Sequence, residues 1–472
     1  MGGRRSLTGG RVAAIAVAAA VVLLAACTGS SSAQSSAAKS EHPAAFKPCT
    51  QVACEGVLGG ARYRIVLPTT WNGTLLLYSH GYRFAHPVPP QFAPPATDAV
   101  PAPGEDVADD LLEQGYALAG SSWSQNGWAV PEGVAADEAL YAYFARTVGT
   151  PRRVYVWGDS LGGLVSQTLA EQGNAWVSGA APLCGVLGGT NDNLDLALDV
   201  AYAVRELLVP GLQLTGFRSH TAAVHQWQSA ERVVVTAAAT GGTAAAPLAL
   251  VSALVDAPQQ TAQFDGSTQS SRTGAAAESV LTGLGYGTYG RYDIEQRVGG
   301  NPSSNRSVDY GSRVSMQERA RVDELGGPGT TDRLLAGLAR GRRVSAKASA
   351  RAAADRLGSP SGGLRVPTVT LHTTADPLVL VQNERLFSDR VTHAGRAGDL
   401  LQLYVKPPAS YAAPAPYGGG HCAFTAAQRE AAVAVLDAWV RTGRRPDSAR
   451  LADLLYNSRG VTTDYVAPVW PS

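Results

Sequence analysis

The chain has 472 residues, enough for one large domain with a sizeable insertion or for two ordinary domains. Apolar residues make up 45% of it and charged residues 16%, which indicates a folded globular protein and excludes a disordered one. The formal net charge is +1, and the charges form no basic or acidic block. Because nucleic-acid binding requires a concentrated positive field, the sequence predicts no nucleic-acid partner.

Residues 1–26 have the features of an export signal. Arginines precede an apolar run that is too short and too rich in alanine for a good membrane span. The run ends in Leu-Ala-Ala followed by Cys27, which resembles the lipobox of bacterial lipoproteins and implies that Cys27 is lipidated. An ordinary signal peptide cleaved nearby is the alternative. Residues 27–48 are predicted to be a flexible tether, so we expect an exported protein at the outer face of the cell membrane, lipid-anchored or secreted.

The cysteines indicate disulfides. Without Cys27 their number is even, which in an exported chain favours two bridges whose pairing the count leaves open. Cys49 and Cys54 are close enough to close a small loop, and Cys184 and Cys422 would then pair across the fold. The sequence contains no paired Cys-x-x-Cys or His-x-x-x-His spacing, so we expect no metal site.

From residue 62 onward, segments with strand character alternate with segments with helix character. The predicted strands are residues 62–67, 74–78, 116–120 and 153–157, and the predicted helices are residues 107–114, 131–147 and 161–172. These strands are continuous apolar runs, as expected when helices cover both faces of a sheet. The alternation predicts βαβ units and a largely parallel sheet.

The alternation pauses over residues 188–363. This segment has helical periods and a connector rich in glycine and tyrosine at residues 283–292. Strand character returns at residues 366–371 and 400–405, and a final helix is predicted at residues 425–442. The simplest arrangement is one sheet domain with a helical insertion, divided as residues 49–187, 188–363 and 364–472.

Ser160 stands in a Gly-Asp-Ser-Leu-Gly motif between a predicted strand and a predicted helix. A serine in such a tight turn adopts strained backbone geometry, and Gly158 and Gly162 are needed because side chains there would collide with neighbouring elements. The turn raises the serine Oγ above the sheet at the positive end of the helix, where an oxyanion is stabilised. A strand and a helix around the motif are typical of a nucleophile elbow, and a chance occurrence is the alternative.

With this elbow, the chain resembles an α/β-hydrolase over residues 62–443, the insertion excepted. The resemblance implies an α/β-hydrolase fold, a mostly parallel sheet flanked by helices, with the insertion as a large helical cap. It also implies a triad in the order Ser, Asp or Glu, His. Asp376, just past a predicted strand, matches the acid turn; Asp389 in a helix and Asp399 at the start of the next strand are the alternatives.

His421 is the predicted catalytic base. It follows the last predicted strand, behind three glycines that allow its loop to approach the serine. The resemblance implies that His421 takes the proton of Ser160 while Asp376 holds the imidazole in one tautomer. The segment His80-Gly-Tyr resembles the oxyanion loop of the family, so the amides of Tyr82 and Leu161 are the predicted oxyanion donors, and His80 is expected to hold that loop.

Two further features lie close to these residues. Trp123 and Trp128 follow the strand before the elbow and are candidates to line the substrate pocket, although packing beneath the insertion explains them equally well. A Cys184–Cys422 bridge would hold the histidine loop beside the elbow. Some tannase and feruloyl-esterase relatives have a disulfide next to the catalytic histidine, but its other cysteine neighbours the serine, where this chain has Asp159 and Leu161.

The resemblance implies a serine hydrolase that needs no cofactor and forms an acyl-enzyme. The predicted substrate is a carboxylic ester, small or oligomeric, a polyester being a narrower case, and the insertion is the predicted lid. A serine peptidase of the prolyl or tripeptidyl-aminopeptidase type is the alternative enzyme, but we identify no carboxylate cluster in the insertion to bind a free amino terminus. A non-catalytic ligand-binding lipoprotein on the same fold is the alternative from another class. We expect a monomer.

Overall fold

A computed structural model describes residues 53–412 and 415–471. The predicted signal peptide, the tether, Cys27 and Cys49 lie outside the described residues, so the lipid anchor and the Cys49–Cys54 pairing stay predictions. Among the described helices, none is long and apolar enough to cross a lipid bilayer.

The described residues contain one sheet and the helices that surround it. The strands are β1 Ala53–Leu58, β2 Ala61–Val66, β3 Thr74–Ser79, β4 Ala117–Ser121, β5 Arg153–Asp159, β6 Gly179–Leu183, β7 Thr368–Thr373, β8 Leu400–Val405 and β9 Val461–Thr462. The helices are α1 Glu105–Glu113, α2 Val130–Thr147, α3 Leu161–Gln172, α4 Thr190–Leu207, α5 His220–Thr240, α6 Gly242–Leu254, α7 Gln269–Gly287, α8 Tyr289–Val298, α9 Met316–Gly326, α10 Thr330–Arg340, α11 Ala348–Asp355, α12 Gln382–His393, α13 Ala426–Thr442 and α14 Ser448–Leu454.

The sheet has the strand order β1-β2-β4-β3-β5-β6-β7-β8-β9. Its neighbours from β4 to β8 pair in parallel, whereas β2 pairs antiparallel with β1 and β4, and β9 pairs antiparallel with β8. A mostly parallel sheet in this order, with a strand-to-helix turn directly after β5, is the α/β-hydrolase fold. The predicted fold class is therefore confirmed.

Helices cover both faces of the sheet, as the apolar strands predict. Along β3, Leu75 and Leu77 pack in one core with α2 and α3, whereas Leu76 and Tyr78 pack in another with α1 and α13. Successive side chains of a strand point to opposite faces, so a strand covered on both faces must be apolar at every position. Each buried leucine contributes roughly 1.5–3 kcal/mol to folding.

The helices α4 to α11 form a cap inserted between β6 and β7. The cap has a hydrophobic core of its own, in which Tyr202 of α4, Trp227 of α5 and Leu284 of α7 are buried. It lies over the end of the sheet at which β5 meets α3, because residues of α4 and α7 line a cavity together with Ser160.

The predicted connector at residues 283–292 is wrong, since α7 continues to Gly287 and α8 begins at Tyr289. The glycines there allow helices to pack closely. A Cβ on Gly283 would lie 3.2 Å from Val200 of α4, and one on Gly287 would lie 3.0 Å from the carbonyl oxygen of Ala197. Tertiary packing of α7 against α4 thus overrides the low helix propensity of glycine.

Candidate active site

Ser160 occupies a sharp turn between β5 and α3. Its backbone lies at φ 59° and ψ −120°, a strained conformation for a residue with a side chain, and its amide donates to the Leu183 carbonyl oxygen at 2.9 Å. A Cβ on Gly158 or Gly162 would collide with the Ser79 carbonyl oxygen of the neighbouring strand. The glycines are therefore required by the approach of β3 to this turn.

Asp376 and His421 come together although 45 positions separate them in the chain. His421 Nδ1 donates to Asp376 Oδ2 at 2.7 Å, and the amides of Leu378 and Val379 donate to Oδ1 at 2.9 Å each. Burial raises the pKa of Asp376, but the charge and hydrogen bond of His421, together with the charge of His372 and a backbone amide, outweigh burial, and the pKa lies below its usual value. The carboxylate therefore holds a proton on Nδ1 and leaves Nε2 as the acceptor.

The alternative acids lie elsewhere. Asp389 on α12 is exposed and paired with Arg385 at 2.9 Å, and Asp399 is paired with Arg396 at 2.8 Å. Both carboxylates have arginine partners from their own segment, three or four positions away. Of the three candidate acids, Asp376 is the one that contacts His421.

Two residues without a role in the sequence prediction support the acid. His372 Nε2 lies 3.7 Å from Asp376 Oδ2, and His372 Nδ1 lies 3.4 Å from Glu384 Oε1. Burial lowers the pKa of His372, but the hydrogen bond and charge of Glu384, together with the charge of Asp376 and a backbone carbonyl, outweigh burial, and the pKa lies above its usual value. Ionisable residues are seldom buried without a partner. A histidine and a glutamate at core positions of a strand and a helix are therefore the sequence signal that could indicate such a pair.

A disulfide joins Cys184 to Cys422, with 5.4 Å between the Cα atoms. Cys422 follows His421, and its Sγ lies 3.5 Å from the imidazole Nε2. The sulfurs and the imidazole lie close enough together to resemble a metal site, but sulfurs bonded to each other provide no thiolate. The bridge therefore brings the histidine loop next to Cys184, which directly follows β6.

In the described residues, no direct hydrogen bond joins Ser160 Oγ to His421. Unliganded active sites commonly have long nucleophile–base contacts that shorten when substrate binds. The structure places Asp376 and the disulfide in contact with His421, and the Ser160 amide donates to the carbonyl of Leu183, which precedes Cys184.

A cavity opens beside Ser160, and Tyr82, Leu161 and Trp128 line it with residues of the cap and of the acid turn. No carboxylate, ammonium, guanidinium or imidazole group belongs to the described residues that line it. Trp128 is held by a hydrogen bond from its indole Nε1 to Thr190 Oγ1 at 2.9 Å. The cavity is therefore suited to an uncharged, largely apolar group.

The two tryptophans have different positions. Trp128 lines the cavity, whereas Trp123 is buried and stacks on His80 with 4.0 Å between ring centroids. Burial lowers the pKa of His80 to about 3, so this imidazole is neutral and acts as part of the packing. The role predicted for His80, which is to hold that loop, stays a prediction.

The amides of Tyr82 and Leu161 have no protein acceptor within the described part of the chain, and both residues line the cavity. The loop that carries Tyr82 follows Ser79, whose hydroxyl donates to Asp137 Oδ2 at 2.5 Å. Burial raises the pKa of Asp137 to about 7. A buried acid on α2 thus binds the residue that precedes the His80-Gly-Tyr segment, a contact that the sequence does not indicate.

Comparison with known proteins gives matches among solved structures alone: no family profile matches the sequence, and no curated protein matches it. One similar structure is proline iminopeptidase of Mycobacterium smegmatis, at 11% identity over 83% of this chain and 98% of that chain, with TM-score 0.36. An esterase of Aspergillus oryzae matches at 12% identity over 82% and 78%, with TM-score 0.39. A rice cell wall degrading esterase of Xanthomonas oryzae matches at 13% over 81% and 87%, with TM-score 0.36. At such identities the fold assignment depends on the strand order of the sheet.

Proposed function

We propose that this protein is a serine hydrolase that cleaves carboxylic esters through an acyl-enzyme. Ser160 attacks the carbonyl carbon, His421 Nε2 accepts the serine proton, and Asp376 stabilises the imidazolium that forms. The amides of Tyr82 and Leu161 donate to the oxyanion. His421 then returns the proton to the leaving alcohol, and water repeats the cycle to release the acid.

One observation carries this proposal: a strained serine at the end of β5 opens into a cavity on the sheet edge where a buried carboxylate orients a histidine. The Asp376–His421 hydrogen bond of 2.7 Å supports a base whose Nε2 is free to accept a proton. Strain at a residue with a side chain persists where the surrounding structure enforces it, and such residues concentrate at active sites.

The cavity supports an ester with an uncharged apolar group over a peptide with a free amino terminus. A peptidase that binds a protonated amine needs a carboxylate in contact with it, and the described cavity lining contains none. An aliphatic or aromatic group gains about 25 cal/mol for each square ångström of apolar surface that it buries there. We therefore propose esters of apolar acyl groups or alcohols as the substrate class.

A labelling experiment tests the proposal. A fluorophosphonate probe is expected to label Ser160 of the purified protein and to leave Ser160→Ala unlabelled, as read by mass spectrometry of the modified peptide. Turnover of p-nitrophenyl esters with rising acyl length, set beside aminoacyl p-nitroanilides, then separates the bond types. Absence of label contradicts the hydrolase proposal, and anilide turnover without ester turnover assigns the chain to peptidases.

We also propose that the enzyme acts at the outer face of the cell membrane through a lipid on Cys27. The Leu-Ala-Ala-Cys segment after an apolar run supports this location. Expressed with radiolabelled palmitate, the wild-type chain is expected to incorporate label and to pellet with membranes, whereas Cys27→Ala is expected to do neither. Equal labelling of the two proteins contradicts the anchor.

A further inference from the structure

Arg429 of α13 is a largely buried arginine that joins the serine turn to the histidine loop. Its side chain is 12% exposed, and its Nη2 donates to Asp159 Oδ2 at 2.7 Å. Asp159 directly precedes Ser160 and is itself 7% exposed. Within the described residues the other oxygen of this carboxylate has no hydrogen-bond partner, so the pair with Arg429 is its principal polar contact.

The same guanidinium also binds the backbone of the histidine loop. Arg429 Nη1 donates to the Phe424 carbonyl oxygen at 2.7 Å, and Nη2 donates to the Cys422 carbonyl oxygen at 3.0 Å. Cys422 immediately follows His421. A planar guanidinium has donors in a fixed fork, so one side chain fixes the distance between its acceptors more rigidly than an ammonium group does.

The disulfide is a second link between the same two parts of the molecule. Cys184 follows Leu183, whose carbonyl accepts from the Ser160 amide, and Cys422 follows His421. A covalent link at Cys422 limits how far the loop moves, but a single bridge does not define its orientation. The three hydrogen bonds of Arg429 define the orientation of the loop.

Resting on the proposed function, we propose that Arg429 is a positioning residue: through Asp159 and the carbonyls of the histidine loop, it sets His421 against Ser160 for proton transfer. Buried ion pairs add little net stability, because desolvation of the charges offsets their attraction. Fixed geometry is what such a pair provides here. A misplacement of about 1 Å between reacting groups lowers a rate by roughly 100-fold.

The test compares Arg429→Met, Arg429→Lys and the double variant Asp159→Asn/Arg429→Met with the wild type. Arg441→Met is the matched control, since Arg441 lies on the same helix and pairs with Asp437 at 3.5 Å but is 62% exposed. The measurements are kcat and KM for a p-nitrophenyl ester and the rate of fluorophosphonate labelling at Ser160. Burst titration gives the folded, active fraction, and circular dichroism checks the fold.

In Arg429→Met we expect kcat and the labelling rate per active site to fall by about 100-fold, with little change in KM. Arg429→Lys keeps the pair with Asp159 but has a single charged group for three acceptors, so it should recover part of the loss. The double variant removes the unpaired buried charge, so its thermal stability should return towards wild type while kcat stays low. Arg441→Met should match the wild type.

Wild-type kcat in folded Arg429→Met would overturn the positioning role, as would a loss explained wholly by a smaller active fraction. Recovery of kcat in the double variant would also overturn it, because the defect would then come from an unpaired charge. A wild-type protein that the probe fails to label at Ser160 contradicts the proposed function instead. A labelled wild type with an unaffected Arg429→Met contradicts the positioning role alone.

Discussion

Ser160 lies between two regions of opposite character. The first, here called the histidine side, holds buried or largely buried ionisable groups with defined partners: Asp159, His372, Asp376, Glu384, His421 and Arg429. The second, the cavity side, is lined by apolar and aromatic residues, and within the described lining no group carries a charge. Proton transfer needs fixed charges, whereas an apolar group is bound best where charge and water are excluded.

Removal of the negative charge of Asp376, on the histidine side, is expected to have the largest effect on activity. In Asp376→Asn, kcat is expected to fall by roughly 10⁴-fold, because an amide that donates to Nδ1 stabilises the wrong imidazole tautomer. Asp389→Asn is the control, since that carboxylate is exposed and paired on α12. Steady-state ester hydrolysis measures both. Equal activity of the two variants would remove the charge-based distinction between the sides.

Loss of the covalent link on the histidine side is expected to have the next largest effect. The Cys184–Cys422 bridge closes a loop with a sequence separation of 238 residues. In the chain-entropy account such a bridge stabilises the folded state by about 2–5 kcal/mol. Urea unfolding of Cys184→Ser/Cys422→Ser should show a loss in that range. An unfolding curve that coincides with that of the wild type would show that the polar contacts hold the loop without it.

Asp137 of α2, which accepts a hydrogen bond from Ser79 and does not line the cavity, is a buried acid that is neutral in the folded protein below its raised pKa of about 7. Burial raises the pKa of Asp137 in the folded state above its value in the unfolded state. The contribution of Asp137 to the free energy of unfolding is therefore fully present below the unfolded pKa and is lost as pH rises through the folded pKa. Asp137→Asn should therefore lose less stability than the wild type between about pH 4 and about pH 7. Urea unfolding at each pH measures the difference.

The control for that comparison is Asp109→Asn, at an exposed acid on α1. It should keep the pH dependence of the wild type. The same slope in Asp137→Asn and the wild type would mean that Asp137 is ionised when folded, and buried charge would then not be confined to the histidine side.

A change of cavity size is expected to have the smallest effect. Ala197 of α4 lines the cavity, so Ala197→Leu should lower kcat/KM for long acyl esters about tenfold more than for acetate, the usual discrimination for one or two methylenes. Ala239→Leu on the exposed part of α5 should leave the length profile unchanged. The measurement is kcat/KM for p-nitrophenyl esters of increasing acyl length. Parallel profiles for Ala197→Leu and the wild type would place the acyl chain elsewhere.

The sheet and the order of its site residues could be predicted from the sequence because their causes are local. The helix at residues 161–172 and the strand at residues 400–405 have the predicted bounds, since apolar runs and turn residues define both. The short edge strand β9 was absent from the prediction, because two residues carry no periodic signal. The cap helices around residues 283–292 were misassigned because packing against α4 outweighs glycine propensity.

Sequence order alone points to Ser160, Asp376 and His421, because a tight turn, a strand end and a glycine-rich loop each have a recognisable local composition. The supports of these residues depend on contacts between distant segments. Arg429 reaches Asp159 across 270 positions, and Asp137 reaches Ser79 across 58. Hydrogen bonds of this kind leave no periodic trace in the sequence, since each needs one polar residue at one buried place, and the folded chain alone brings the partners together.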